Sequence, residues 1–192
     1  QDRVAAGVGT ALGLAAGPAA ASPGPKGDMA QERYLAALGH LQKYQDAASV
    51  DAAIGLLEKL SAGEEGWAPA HAALARAYLA KRLLTREPAW ADRAREECLR
   101  AERIDSSLPE VQLTIGRLAA VSGDPEGAAA AFRKVLARQP ADVEALLGLA
   151  DALLYAGRAG EAEEAARRAL AVSPSYWAAP NKLGVVLVSS GR

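Results

Sequence analysis

The chain has 192 residues, 51% hydrophobic and 23% charged, the balance of an ordinary globular protein long enough to build a real core. Its 22 Lys and Arg stand against 23 Asp and Glu, and both signs are interspersed, so the net charge of −1 excludes bulk attraction to nucleic acid or an anionic membrane. The single cysteine, Cys98, excludes an internal disulfide, and an apolar content made of Ala and Leu with one Phe suits closely packed helices better than a sheet.

Residues 1–14 place Val4, Val8, Leu12 and Ala11 on one helical stripe and read as a short helix at the end of a preceding domain. No residue from Val4 to Pro25 is charged, but the stretch is mostly Ala and Gly with Pro18, Pro23 and Pro25, so membrane insertion is not expected. The Gly9, Gly13, Gly17 ladder carries meaning only inside a strongly apolar segment. No basic stretch precedes it, which argues against a signal peptide. Residues 15–31 read as an Ala/Gly/Pro linker.

The rest is a tandem repeat, clearest from Pro109 to Pro174. At a 34-residue interval Ile115 stands over Leu149, Gly116 over Ala150, Gly123 over Gly157, Ala128 over Ala162, Val135 over Ala169 and Pro140 over Pro174, and a further row opens with Leu183, Gly184 and Gly191. Earlier rows join once insertions are allowed: Gly39 and Ala75 are the small residues of first helices, Ala53 and Ala94 those of second helices. The second row carries seven extra residues between Tyr78 and Ala94, the first row two near Asp46–Ser49. The units expected are 32–67, 68–108, 109–142, 143–176 and a partial one at 177–192. Gly116 and Ala128 are expected where the two helices of one unit cross. Gly123-Asp124-Pro125 reads as C-terminal Gly, N-cap and first-turn Pro. Glu87-Pro88 closes the insertion, with Trp90 placed to cover the lengthened helix, and Pro180 falls in the first turns of the last helix.

The order apolar, small, turn Gly, small, bulky, Pro, as in Ile115-Gly116 … Gly123 … Ala128-x3-Phe132 … Pro140, resembles the tetratricopeptide repeat (TPR). The resemblance implies an all-α fold, a right-handed α-α solenoid of helix–turn–helix units, acting as a non-enzymatic scaffold for a protein or peptide partner. Tyr34-Leu35-x3-Gly39-x-Leu41-Gln42-Lys43-Tyr44, Val50-Asp51-x-Ala53-Ile54, Glu87-Pro88-x-Trp90 and Pro174-x-Tyr176-Trp177 resemble the TPR region of bacterial serine/threonine protein kinases. There the array is the C-terminal sensory or docking region. Gln1-Asp2-Arg3-Val4-Ala5 is similar to the end of the TolB-like domain that precedes such arrays in those kinases and in related adenylate cyclases and winged-helix regulators. A start at Gln1 and a stop at Gly191-Arg192, where a repeat would turn into its second helix, read as a piece of a longer protein, on the cytoplasmic or periplasmic side.

No kinase motif, catalytic constellation, metal site or cofactor motif is found. Gly7-x-Gly9-x3-Gly13 misses the dinucleotide spacing. His40 and His71 stand far apart, and His71 is expected to pack in the first turn of a helix. Glu64-Glu65, Glu96-Glu97 and Glu163-Glu164 read as solvated charge, Tyr155, Tyr176 and Trp177 as core, and Cys98, in the column of Leu57 and Phe132, as a buried small hydrophobe.

First helices of such arrays line a concave groove, and their inward residues read the ligand. The column after the small residue holds His40, Arg76, Arg117, Asp151 and Val185; four positions on come Tyr44 and Tyr155, with Asn181 one turn before Val185. The candidate peptide-binding residues are therefore His40, Tyr44, Arg76, Arg117, Asp151, Tyr155 and Asn181. The paired arginines suit an acidic or C-terminal peptide segment. The opposing expectation is an ordinary solvated face, with the arginines paired to Glu110 or Asp151. Leu183, Val186 and Leu187 of the last helix are expected to lack a cover, which leaves room for self-association.

Overall fold

Short polar caps and turn glycines cut the chain into helices before any packing is considered. In the computed structural model, which describes residues 27–189 and 191, the elements are all helices: α1 (Asp28–Leu41), α2 (Ala47–Gly63), α3 (Ala68–Thr85), α4 (Ala89–Asp105), α5 (Pro109–Val121), α6 (Pro125–Arg138), α7 (Val143–Tyr155), α8 (Ala159–Val172) and α9 (Ala178–Ser189). Asp46, Asp124 and Asp142 accept the amides of Ser49, Gly127 and Ala145 at 2.9, 2.9 and 2.7 Å, fixing the starts of α2, α6 and α7. Gly123, Gly157 and Gly191 take φ of 78, 76 and 73°, the same left-handed turn after three successive first helices. The expected helix over 1–14, and the linker up to residue 26, lie outside the described residues. Residues 28–31, part of the linker expected from sequence, are instead the first turn of α1, which carries Asp28 at its N-terminal end.

Consecutive helices pack antiparallel, and each first helix also touches the first helix of the next unit: α1 on α3, α3 on α5, α5 on α7, α7 on α9. Among the described residues no such contact joins α2 to α4, α4 to α6 or α6 to α8. First helices therefore form the inner row of the solenoid and second helices the outer one. The two extra residues of the first unit sit in the turn 42–46, which is five residues long where 122–124 and 156–158 are three. The longer insertion is spent on helix, since α3 runs 18 residues and α4 17 against 13 and 14 in the next unit. Trp90, in the first turn of α4, packs on Tyr78 of α3 with ring centroids 5.7 Å apart. No glycine ends α3. Arg86 takes the left-handed cap position itself, at φ 60°.

Two main cores result. One joins α1–α4 through Leu41, Val50, Leu57 and Leu74; the other joins α6–α9 through Phe132, Leu146, Leu153 and Val186. A third, small patch of Ala68, Ala72, Ala101 and Val111 joins α3, α4 and α5. At Gly116 the close approach is to Phe132, one turn past Ala128: a Cβ there would come within 2.8 Å of the ring. Gly148 of α7 lies against the same ring, where a Cβ would stand 2.5 Å from Cζ. Gly39 and Gly184, in the same column as Gly116, have open space instead. Val186 is fully buried and Leu183 and Leu187 half-buried, contrary to the uncovered face expected for α9, because that stripe packs back on α7 and α8; Val185 and Val188 are the exposed residues. Cys98 is buried as expected, and burial pushes its thiol up to about 12.

These approaches set opposite signs for one substitution. Gly148→Ala should lose roughly 1–3 kcal/mol by overpacking Phe132, whereas Gly55→Ala, with nothing within 4 Å, should gain about 0.5–1 kcal/mol of helix propensity. Urea denaturation of both variants decides it, and equal shifts would remove Phe132 from this contact. Arg86→Gly should raise stability by about 1 kcal/mol by relieving the left-handed residue; a drop in denaturation midpoint would show that the arginine side chain has a compensating role.

Candidate functional site in the inner row

Residues four apart on a helix share a face, so the inner row presents one residue per turn to the groove. Arg76 and Arg117 sit mid-helix in α3 and α5, half-buried, and Asp151 holds the same place in α7. His40 is half-buried in the last turn of α1. Tyr44 does not share its face as expected, because α1 ends at Leu41 and Tyr44 lies in the turn, 45% exposed, beside Gln45. Tyr155 ends α7 at 83% exposure, and Asn181 is exposed on α9. Tyr155, Tyr176 and Trp177 are surface residues rather than core; the last two stand in the turn before α9, ring against ring at 6.4 Å.

The charges of the row are resolved unequally. Arg117 pairs with Glu144 at the start of α7, and Asp151 accepts from Lys182 of α9 at 2.5 Å, so ion pairs tie α5 to α7 and α7 to α9. Neither is the partner expected from sequence. Burial, with Arg76 adding repulsion, pushes Arg117 down to about 9, against the pull of Asp142. The structure thus brings Arg76 and Arg117 close enough to feel each other's charge. Arg76 makes no hydrogen bond or ion pair with a described residue, and burial holds it below the ordinary arginine range while Tyr34 and Tyr176 act the other way. Tyr34, packed on Trp67 at 4.7 Å, has a hydroxyl without a described hydrogen-bond partner; burial first, then Glu110, raises it. Burial also raises the Glu110 carboxyl.

Sequence reasoning missed Tyr34, Glu144, Tyr176 and Lys182. Glu144 was within reach, since it repeats Glu110 at the same interval in the first turn of an inner helix. Tyr176 was not, because its electrostatic influence on Arg76 reaches across units, which no repeat column shows.

The other face of α3 carries a cleft of about 700 Å³ between α2 and α4, floored by His71, Leu74 and Tyr78. Its interior is already paired. Tyr78 donates to Glu58 at 2.8 Å, and Glu97 takes His71 Nδ1 at 2.6 Å and Arg100 at 2.8 Å. Glu97, read as solvated charge, is thus buried, because it stands opposite His71 where the later units place Ala131 and Ala165. His71 Nε2 lies 3.1 Å from the Glu65 carbonyl, as Gln112 Nε2 lies 2.7 Å from that of Ser106, the same six-residue bridge one unit on. With acceptors on both ring nitrogens, the His71–Glu97 pair carries a proton between Nδ1 and the carboxylate. That pairing is structural, at the junction of α3 with the end of α2. Among the described residues no group of His, Cys, Asp and Glu is arranged to hold a metal, and no helix is long and apolar enough to cross a membrane.

The family model of the tetratricopeptide repeat matches residues 113–176 and 148–192. Among solved structures, a thermophilic TPR protein of Thermus thermophilus matches with a TM-score of 0.71 and 21% identity, over 83% of this chain and 81% of that one. PilW, titled a widely conserved type IV pilus biogenesis factor, matches at 0.70 and 21%, over 86% and 71%. Pseudomonas aeruginosa pilF matches at 0.66 and 19%, over 84% and 68%. A comparison with curated protein sequences finds no match. At these identities the likeness to solved structures is one of fold. From Leu113 onward the chain matches the tetratricopeptide-repeat model, and the described helices as a whole share the all-α solenoid fold of the TPR structures above.

Proposed function

We propose that the chain is a non-catalytic protein–protein interaction scaffold that takes a peptide or protein segment along its inner row, between His40 and Asn181. The observation that carries this reading is the exposure of Tyr155, Tyr176 and Trp177 beside the charged column of Arg76, Arg117 and Asp151. Exposed aromatics next to charged groups are the usual material of anchors for a partner. The groove residues come from α1, α3, α5, α7 and α9, so a bound segment would cross several units.

We further propose that this scaffold is the docking or sensory region of a larger bacterial serine/threonine protein kinase. The phrases Tyr34-Leu35-x3-Gly39, Glu87-Pro88-x-Trp90 and Pro174-x-Tyr176-Trp177 support that parent. The rival parent is a TolB-like regulator or adenylate cyclase, supported by the opening Gln1–Ala5. The pilus proteins among the similar structures lend the fold and nothing about the partner. Val185 and Val188, 44% and 76% exposed on α9, support self-association as a second property of the array.

Peptides selected on the folded chain from a random display library test the groove. Hydrogen exchange with such a peptide bound should slow on α3, α5 and α7 and leave α4, α6 and α8 unchanged; protection confined to the outer helices would move the site. The parent is tested by reading the coding sequence upstream, where a Gly-rich loop, H-R-D and D-F-G are expected, and a winged-helix or cyclase domain would replace the kinase reading.

A further inference from the structure

The inner helices do not end level. α3 and α5 begin at matching places, seven residues before Ala75 and Gly116, yet α3 runs 18 residues and α5 only 13. The end of α3, about 7.5 Å of helix, therefore continues past the end of α5. α1 stops earlier still, two residues beyond Gly39 of the same column. Leu79 and Ala80 are still buried in the first core; one turn later Leu83 and Leu84 emerge at 60% and 37% exposure. The charges on this ledge are unbalanced. Lys81 is held by Asp51 at 2.5 Å and Asp92 by Arg95 at 2.9 Å, while Arg93 stacks over the Trp90 ring at 5.0 Å. Arg82, Arg86 and Glu87 make no ion pair with a described residue, which leaves two guanidinium groups against one carboxylate.

Arg86 is also where the array departs from its own habit. α5, α7 and α9 each turn at a left-handed glycine, whereas α3 turns at Arg86, with φ 60°. That conformation is costly for a residue with a side chain, and such outliers gather where a function uses the side chain. We propose that the end of α3 is a second docking surface, outside the groove, for an acidic segment of a partner protein. The segment sets a large aliphatic or aromatic side chain against Leu83 and Leu84, and its carboxylates against Arg82 and Arg86. Both kinds of contact come from one helical turn of this chain. The partner must therefore carry its Asp or Glu close to its apolar anchor, as a small interface with one anchor and charged flanks requires. An anionic bilayer fits less well, because a flat surface would press Glu87 against like charge, whereas a single segment can lie on the arginine side alone. Keeping Arg86 left-handed then trades stability for a binding side chain.

The test sorts peptides selected on the folded chain from a random display library by whether Leu83→Ser still binds them. One class should lose about 10-fold or more in affinity and carry Asp or Glu beside a large apolar residue. It should slow hydrogen exchange at the end of α3 and the first turn of α4 without reaching α7. Arg86→Gly should weaken this class roughly 3- to 10-fold, and added salt should weaken its binding to the parent chain. Arg133→Gln, on the outer helix α6, should leave it intact, each variant first shown to keep its helical circular dichroism. No class that depends on Leu83, a dependent class without acidic residues, or an unchanged affinity for Arg86→Gly would overturn the proposal. Vesicles rich in phosphatidylserine that bind the parent chain but not Leu83→Ser, with no dependent peptide found, would overturn it in favour of a membrane. Peptides that protect α3, α5 and α7 and ignore Leu83→Ser report the groove, so either reading can fail while the other stands.

Discussion

One aromatic ring fixes the register of the central units. Phe132, the chain's only Phe, lies between Gly116 of α5 and Gly148 of α7, too close to either for a Cβ to fit without movement. The ring therefore sets how far α6 stands from both inner helices. Packing of this kind is bistable rather than elastic, since interiors are filled at near-crystalline density. Once α5 and α7 are fixed on either side of the ring, Arg117 meets Glu144 and the inner row acquires its spacing. The groove is thus a consequence of a contact on its far side.

The repeat is legible in the sequence because its small positions, turn glycines and caps act locally. Gly123 and Gly157 need no tertiary contact to end a helix, nor does Asp124 to begin one. What escapes such reading is set by contacts across the fold. Gly148 looks like one small residue among many in an Ala-rich chain, and only the position of Phe132 gives it a task. Glu97 looks like half of a solvated pair until α3 places His71 opposite it. Periodicity puts Tyr44 on a helix face because it does not show that α1 stops at Leu41. The columns that name the candidate site are readable; the pairings that decide which members remain available are not, because each partner lies in another unit.

The same logic separates the two faces of α3. Toward α2 and α4, a buried histidine, glutamate and tyrosine satisfy one another, and the cleft above them is complete without a ligand. Toward the groove, Arg76 and Tyr34 are half-buried, and neither polar group has a hydrogen-bond partner among the described residues. Folded chains tolerate such a cost where function needs it, and stability and binding then trade against each other.

That trade is measurable without any ligand. The free energy of unfolding of Arg76→Met, set beside that of the parent chain, asks whether the guanidinium is a burden in the free protein. A half-buried charge with no partner among the described residues, replaced by an apolar side chain of similar length, should make the array more stable, by roughly 1 kcal/mol or more. A loss of that size would mean that the fold itself depends on Arg76, and the residue would no longer stand as a group held ready for a partner.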